Sequence, residues 1–141
     1  MERYEAGKRG QLINVGLIVP STRWLEWRKS IIDAFTENID AFNKISSTSL
    51  IRLKVVDGAC EEGWMSTSSP QRVDVYASVV CSMSTGSELE FKRIAHDATQ
   101  GVLELFPRGA LSEEMDIPEC RIPPKTPFLR LCGRNPRTLT R

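Results

Sequence analysis

The residues in this chain best suited to chemistry are cations. Arg52 and Lys54 stand two residues apart inside the alternating run 50–56, LIRLKVV. Arg121, Lys125, Arg130, Arg134, Arg137 and Arg141 follow one another through residues 120–141 with no acidic side chain among them. A spacing of two places Arg52 and Lys54 on one face of a strand, where both can meet phosphate or carboxylate oxygens. The basic tail is interspersed with Pro, Phe and Leu, a pattern that suits an RNA backbone or an acidic protein groove. Trp24 and Trp27, one helical turn apart, could stack on bases, and Trp64 adds a third aromatic surface. The competing roles are structural: Trp24 and Trp27 continue an apolar stripe and serve as core anchors, and Trp64 folds back as a lid over its own core.

Catalytic chemistry finds less support. An activated Ser or Cys needs a base within hydrogen-bond reach. The single histidine, His96, falls on the polar side of a helical stripe between Lys92 and Gln100, so a solvent-facing imidazole is expected. No nucleophile elbow, HExxH pair or phosphate-binding loop is present. The acidic pairs Glu61-Glu62 and Glu113-Glu114 lie in polar loop sequence, where solvated charge is expected rather than a shifted pKa. Cys60, Cys81, Cys120 and Cys132 are widely separated and form no C-x-x-C pair. Free, packed thiols are expected, with no metal site, no cofactor and no catalytic residue assigned.

Composition sets the frame for these residues. A chain of 141 residues, 40% hydrophobic and 26% charged, fits one domain with a real core. The net charge of +1 is unevenly spread: residues 10–119 carry ten basic and sixteen acidic side chains, and residues 120–141 carry +6. A mildly acidic body with a basic end points to an anionic partner, or to a tail that docks on an acidic subunit. No apolar run reaches the roughly 18 residues of a membrane span, and the first residues lack the apolar core of a secretory signal. A cytoplasmic or nuclear location is therefore the expectation.

The elements that must position the cations follow from hydrophobic spacing. Residues 12–19, LINVGLIV, are almost continuously apolar and predict a central strand. Trp24, Trp27, Ile31, Phe35, Ile39, Phe42 and Ile45 recur every three or four residues and predict a long helix after Pro20, capped by Ser21 or Thr22. Residues 50–56 predict a second strand ended by Asp57-Gly58, followed by a polar loop over 59–71. Residues 72–83 predict a third strand, and a second helix runs to about Phe106, with Thr85 and Glu88 at capping-box spacing. Five prolines between 118 and 136 leave only 128–132, FLRLC, able to pair, as an edge strand. The expected fold is an α/β (α+β) two-layer sandwich, β-α-β-β-α with a Pro-rich C-terminal arm. Its expected divisions are a polar N-terminus over 1–10, an α/β domain over 11–109 and a basic arm over 110–141.

Two motif-level resemblances bear on function. The run Trp24-Leu25-Glu26-Trp27-Arg28 resembles the W-x-E-W-R element of the tombusvirus silencing suppressors, which implies recognition of duplex RNA ends by paired tryptophans. Here, however, the tryptophans follow a strand and open a long helix, so the order of elements departs from that family. The β-α-β pairing resembles the tautomerase superfamily, which implies an oligomeric enzyme with its site between subunits. That chemistry uses an N-terminal proline, and this chain begins Met1-Glu2-Arg3. Each resemblance covers less than half the chain, and neither assigns a family. The expected function is a non-enzymatic, self-associating module, suited to a viral accessory or structural role. It holds an anionic partner on a sheet face formed by Arg52, Lys54, Tyr76 and Ser78 and on the basic tail. RNA ranks ahead of a membrane surface, and the alternatives are a small oligomeric enzyme and a protein-interaction subunit.

Overall fold

Apolar residues at odd positions of the first strand decide which side of the sheet the helices cover. The computed structural model describes residues 11–20, 25–61, 63–67, 73–81, 87–106, 120–121 and 127–133. The elements are β1 (Gln11–Pro20), α1 (Leu25–Ile45), β2 (Ser49–Glu61), β3 (Trp64–Ser66), β4 (Val75–Val79), α2 (Glu88–Leu105), β5 (Cys120–Arg121) and β6 (Leu129–Cys132). The chain is a mixed α/β protein, two helices on a curled sheet of strand order β3-β2-β1-β4-β6-β5. β1 is central and pairs in parallel with both β2 and β4. The remaining ladders, β2 with β3, β4 with β6 and β5 with β6, are antiparallel.

Ile13, Val15, Leu17 and Val19 of β1 point to the helix side and are buried, with Ile31, Phe35 and Ile39 of α1 above them. Phe91, Ile94, Ala95 and Ala98 of α2 join the same core. The three-and-four spacing read in the sequence is thus the buried stripe of each helix. α2 begins at Ser87, whose hydroxyl oxygen accepts a hydrogen bond from the Glu90 backbone N–H at 3.1 Å. The cap is therefore Ser87 rather than Thr85; Ser87 and Glu90 also stand at capping-box spacing, and the local hydrogen bond decides between the two.

The second side of the sheet departs from expectation. β2 does not end at Asp57-Gly58 but runs on to Glu61, turns at Gly63 (φ 84°) and returns as β3. A methyl group on Gly58 would meet Ile18 and would lie 2.7 Å from the Ser66 carbonyl oxygen, so the missing side chain is what lets the hairpin close. β3 then reaches β4, where Trp64 bridges Val80 and the Cys81 N–H donates to the Gly63 carbonyl at 2.6 Å. Beneath it Ile18, Val56, Met65, Val73, Tyr76, Cys81 and Cys132 form a second, smaller core. Tyr76 and Ser78 are accordingly only 2% and 4% exposed and do not belong to an open face with Arg52 and Lys54.

Cys60, Cys81 and Cys132 are also not free thiols. Cys60 at the end of β2 is disulfide-bonded to Cys81 after β4, with Cα atoms 5.8 Å apart. Cys132 is disulfide-bonded as well, and in the ladder it lies directly opposite Cys120 of β5. The strand expected at the sheet edge, β6, instead sits between β4 and β5, because Leu129 and Leu131 are buried against the helix-side core. The third strand is shorter than expected, Val75–Val79.

Candidate anion-binding edge of the sheet

One side chain of the long helix α1 clasps the outer side of β2. Asn43 donates its amide to the Ile51 carbonyl at 2.8 Å and accepts from the Ile51 N–H at 2.9 Å. In this way a primary amide imitates a neighbouring strand at the outer side of β2. Backbone groups of a strand alternate in direction, so Leu53 and Val55 turn their N–H and C=O the same way as Ile51, away from β1. The same alternation brings Ala59 and Glu61 to β3, in register with Ser66 and Trp64. Between the Asn43 clasp and the start of the β3 ladder, β2 has no strand neighbour on its outer side among the described residues.

Arg52 and Lys54 stand on that stretch, on the side away from the helices, in register with Asn14 and Gly16 of β1. Both are exposed, and among the described residues neither makes an ion pair. The charges nearby are otherwise engaged: Asp57 takes Arg28 at 3.2 Å, and Arg28 also donates to the Pro20 carbonyl. Asp74 accepts from the Asn14 backbone N–H at 2.8 Å. On the helix side of the same stretch Leu53 is half-buried and Val55 is 38% exposed. Lys29, out on α1, has its pKa raised by a hydrogen bond and by attraction to Asp33 one turn on, and takes no part in this edge.

The other cations and aromatics foreseen in the sequence are not gathered here. Arg130 lies in β6, separated from β2 in the sheet order by β1 and β4, with its guanidinium 4.3 Å from the centre of the Trp64 ring. Trp64 is half-buried, and one face of its ring is taken by that cation. Trp27 is wedged between both cores, edge-on to Phe91 with ring centres 5.9 Å apart. Arg121 lies in β5, at the far side of the sheet. Trp24, Lys125, Arg134 and Arg137 lie outside the described residues. His96 is exposed on α2, with Nδ1 3.5 Å from the Asp97 carboxylate.

Asn43 was not visible as a functional residue, since a lone Asn near a helix end carries no signature of the strand it will meet. Among the described residues no group of three or more His, Cys, Asp or Glu side chains gathers as a metal site, and no helix is long and apolar enough to cross a membrane. Comparison with protein families, with curated proteins and with solved structures gives no match.

Proposed function

We propose that this chain is a non-enzymatic, self-associating binding module that holds an anionic partner through Arg52 and Lys54. The observation that carries this reading is two exposed cations, side by side on a strand edge, with no counter-ion among the described residues. The sequence adds a further set of basic residues between 121 and 137, and RNA is the polyanion to try first. A deep pocket holding Cys81 or Tyr76 beside an arginine would favour the competing reading, an oligomeric enzyme with its site between subunits. Cys81 is bonded to Cys60 and Tyr76 is buried, so that reading gains no support.

The paired cysteines favour an oxidising compartment over the cytosol or nucleus. That setting, together with the open β2 edge, favours a protein partner as the second reading. The test is titration of a short duplex RNA against the wild type and the double variant R52A/K54A across salt concentrations. Losing two phosphate contacts flattens the slope of log affinity against log salt by about 1.8. Equal affinity of the two proteins at every salt concentration refutes the assignment of Arg52 and Lys54. Self-association is read by light scattering on the intact chain, because truncation before β5 would strip β6 from β4.

A further inference from the structure

We infer that the outer edge of β2, from Leu53 to Asp57, is a docking site for an extended acidic segment of another protein, which adds to the sheet as a strand. The inference rests on the anionic-partner reading and gives that partner a chemical class. Asn43 satisfies Ile51 at one end of the edge, and β3 begins to pair at Ala59 at the other. Between them the outward N–H and C=O groups of Leu53 and Val55 have no strand neighbour among the described residues, and main-chain hydrogen bonds there would hold an extended peptide.

Side chains then select the occupant. A strand laid beside β2 presents every second residue to the side of Arg52 and Lys54, and the alternate ones to Leu53 and Val55. Carboxylates two residues apart would each meet a cation, and small apolar residues between them would cover the half-buried Leu53 and the partly exposed Val55. A second copy pairing through its own β2 is disfavoured on the same grounds. A two-fold antiparallel pairing centred on Val55 sets Lys54 opposite Val56 of the other copy and crowds four cations on one face. Nucleic acid would use the two charges but leave the backbone groups of Leu53 and Val55 unused.

The test is a capped heptapeptide, Thr-Val-Glu-Val-Glu-Val-Thr, added to the intact oxidised protein and followed by amide hydrogen exchange and by fluorescence anisotropy. Slowed exchange at Leu53 and Val55, with affinity reduced at least tenfold in R52E/K54E, is the expected result. The same variant should gain affinity for the peptide carrying Lys in place of both Glu, which a merely misfolded variant would not do. Exchange at Leu53 and Val55 unchanged by saturating peptide, or peptide affinity indifferent to the charge reversal, overturns the inference. So does protection of these two amides by self-association in the absence of peptide. A parallel titration with duplex RNA separates the two levels. Binding of RNA that depends on Arg52 and Lys54, without edge protection by peptide, removes the strand-addition proposal and leaves the anionic-partner reading standing. Failure of both RNA and peptide removes the two together.

Discussion

Replacing Gly58 with alanine tests whether the close return of β3 is built as described. The added methyl would press on Ile18 and stand 2.7 Å from the backbone oxygen of Ser66, which cannot rotate away as a side chain can. Overpacking of this kind costs about 1–3 kcal/mol. Alanine also restricts the unfolded chain, which returns about 0.4–1 kcal/mol where the native backbone suits it. The net expectation is a destabilisation of about 1–2 kcal/mol, or a fall in Tm of roughly 3–7 °C for a chain of this size. Thermal and urea unfolding of oxidised wild type and G58A measure it, and hydrogen exchange at Met65 and Ser66 locates it. The comparison variant is G16A, whose methyl would sit 3.0 Å from the edge of the Tyr76 ring, a side chain able to give way. A G58A protein as stable as wild type, with unchanged exchange in β3, would refute the argument that an absent side chain at residue 58 closes the hairpin.

Three further outcomes follow from the contacts described. Asn43→Ala removes both side-chain bonds to Ile51, and with those backbone groups part-buried the loss should be about 1–3 kcal/mol in urea unfolding. Ser87→Ala should cost about 1 kcal/mol by removing the cap of α2, and Ser87→Asp should restore it; equal stability of all three would sink the capping assignment. The double variant C60S/C81S opens a link of sequence separation 21, worth about 3 kcal/mol on loop-entropy grounds, and calorimetry should show that loss.

Both helices were legible because their apolar spacing is local: Ile31, Phe35 and Ile39, or Phe91, Ile94 and Ala98, announce a buried stripe wherever the partner lies. β1 was legible as a central strand from its almost continuous apolar run, though not which of its residues face the helices. What escaped the sequence depends on distant neighbours. Asp57-Gly58 has the local chemistry of a turn, yet Ile18 and Ser66 require a glycine inside a continuing strand. Trp64 and Met65 form a strand only because Glu61 and Cys60 are there to pair with them. The pairing of Cys60 with Cys81 follows from the hairpin that brings them together, and so could not be read before the hairpin was known. Of the candidate site, Arg52 and Lys54 were legible from strand alternation. The loss of Tyr76 and Ser78 from it was not, since β3 is what covers that side of the sheet.

The bridge between Cys60 and Cys81 has a mechanical consequence. Because β1 lies between β2 and β4, the bond straddles the central strand and turns the intervening chain into a closed ring. Pulled from its two ends, the oxidised protein would extend as if that ring were a single link. This bond alone would shorten the contour by about 70 Å, the reach of the 21 residue steps enclosed. A protease cutting anywhere inside the ring would leave both pieces tethered, so the nicked molecule would keep its mass until a reductant released it.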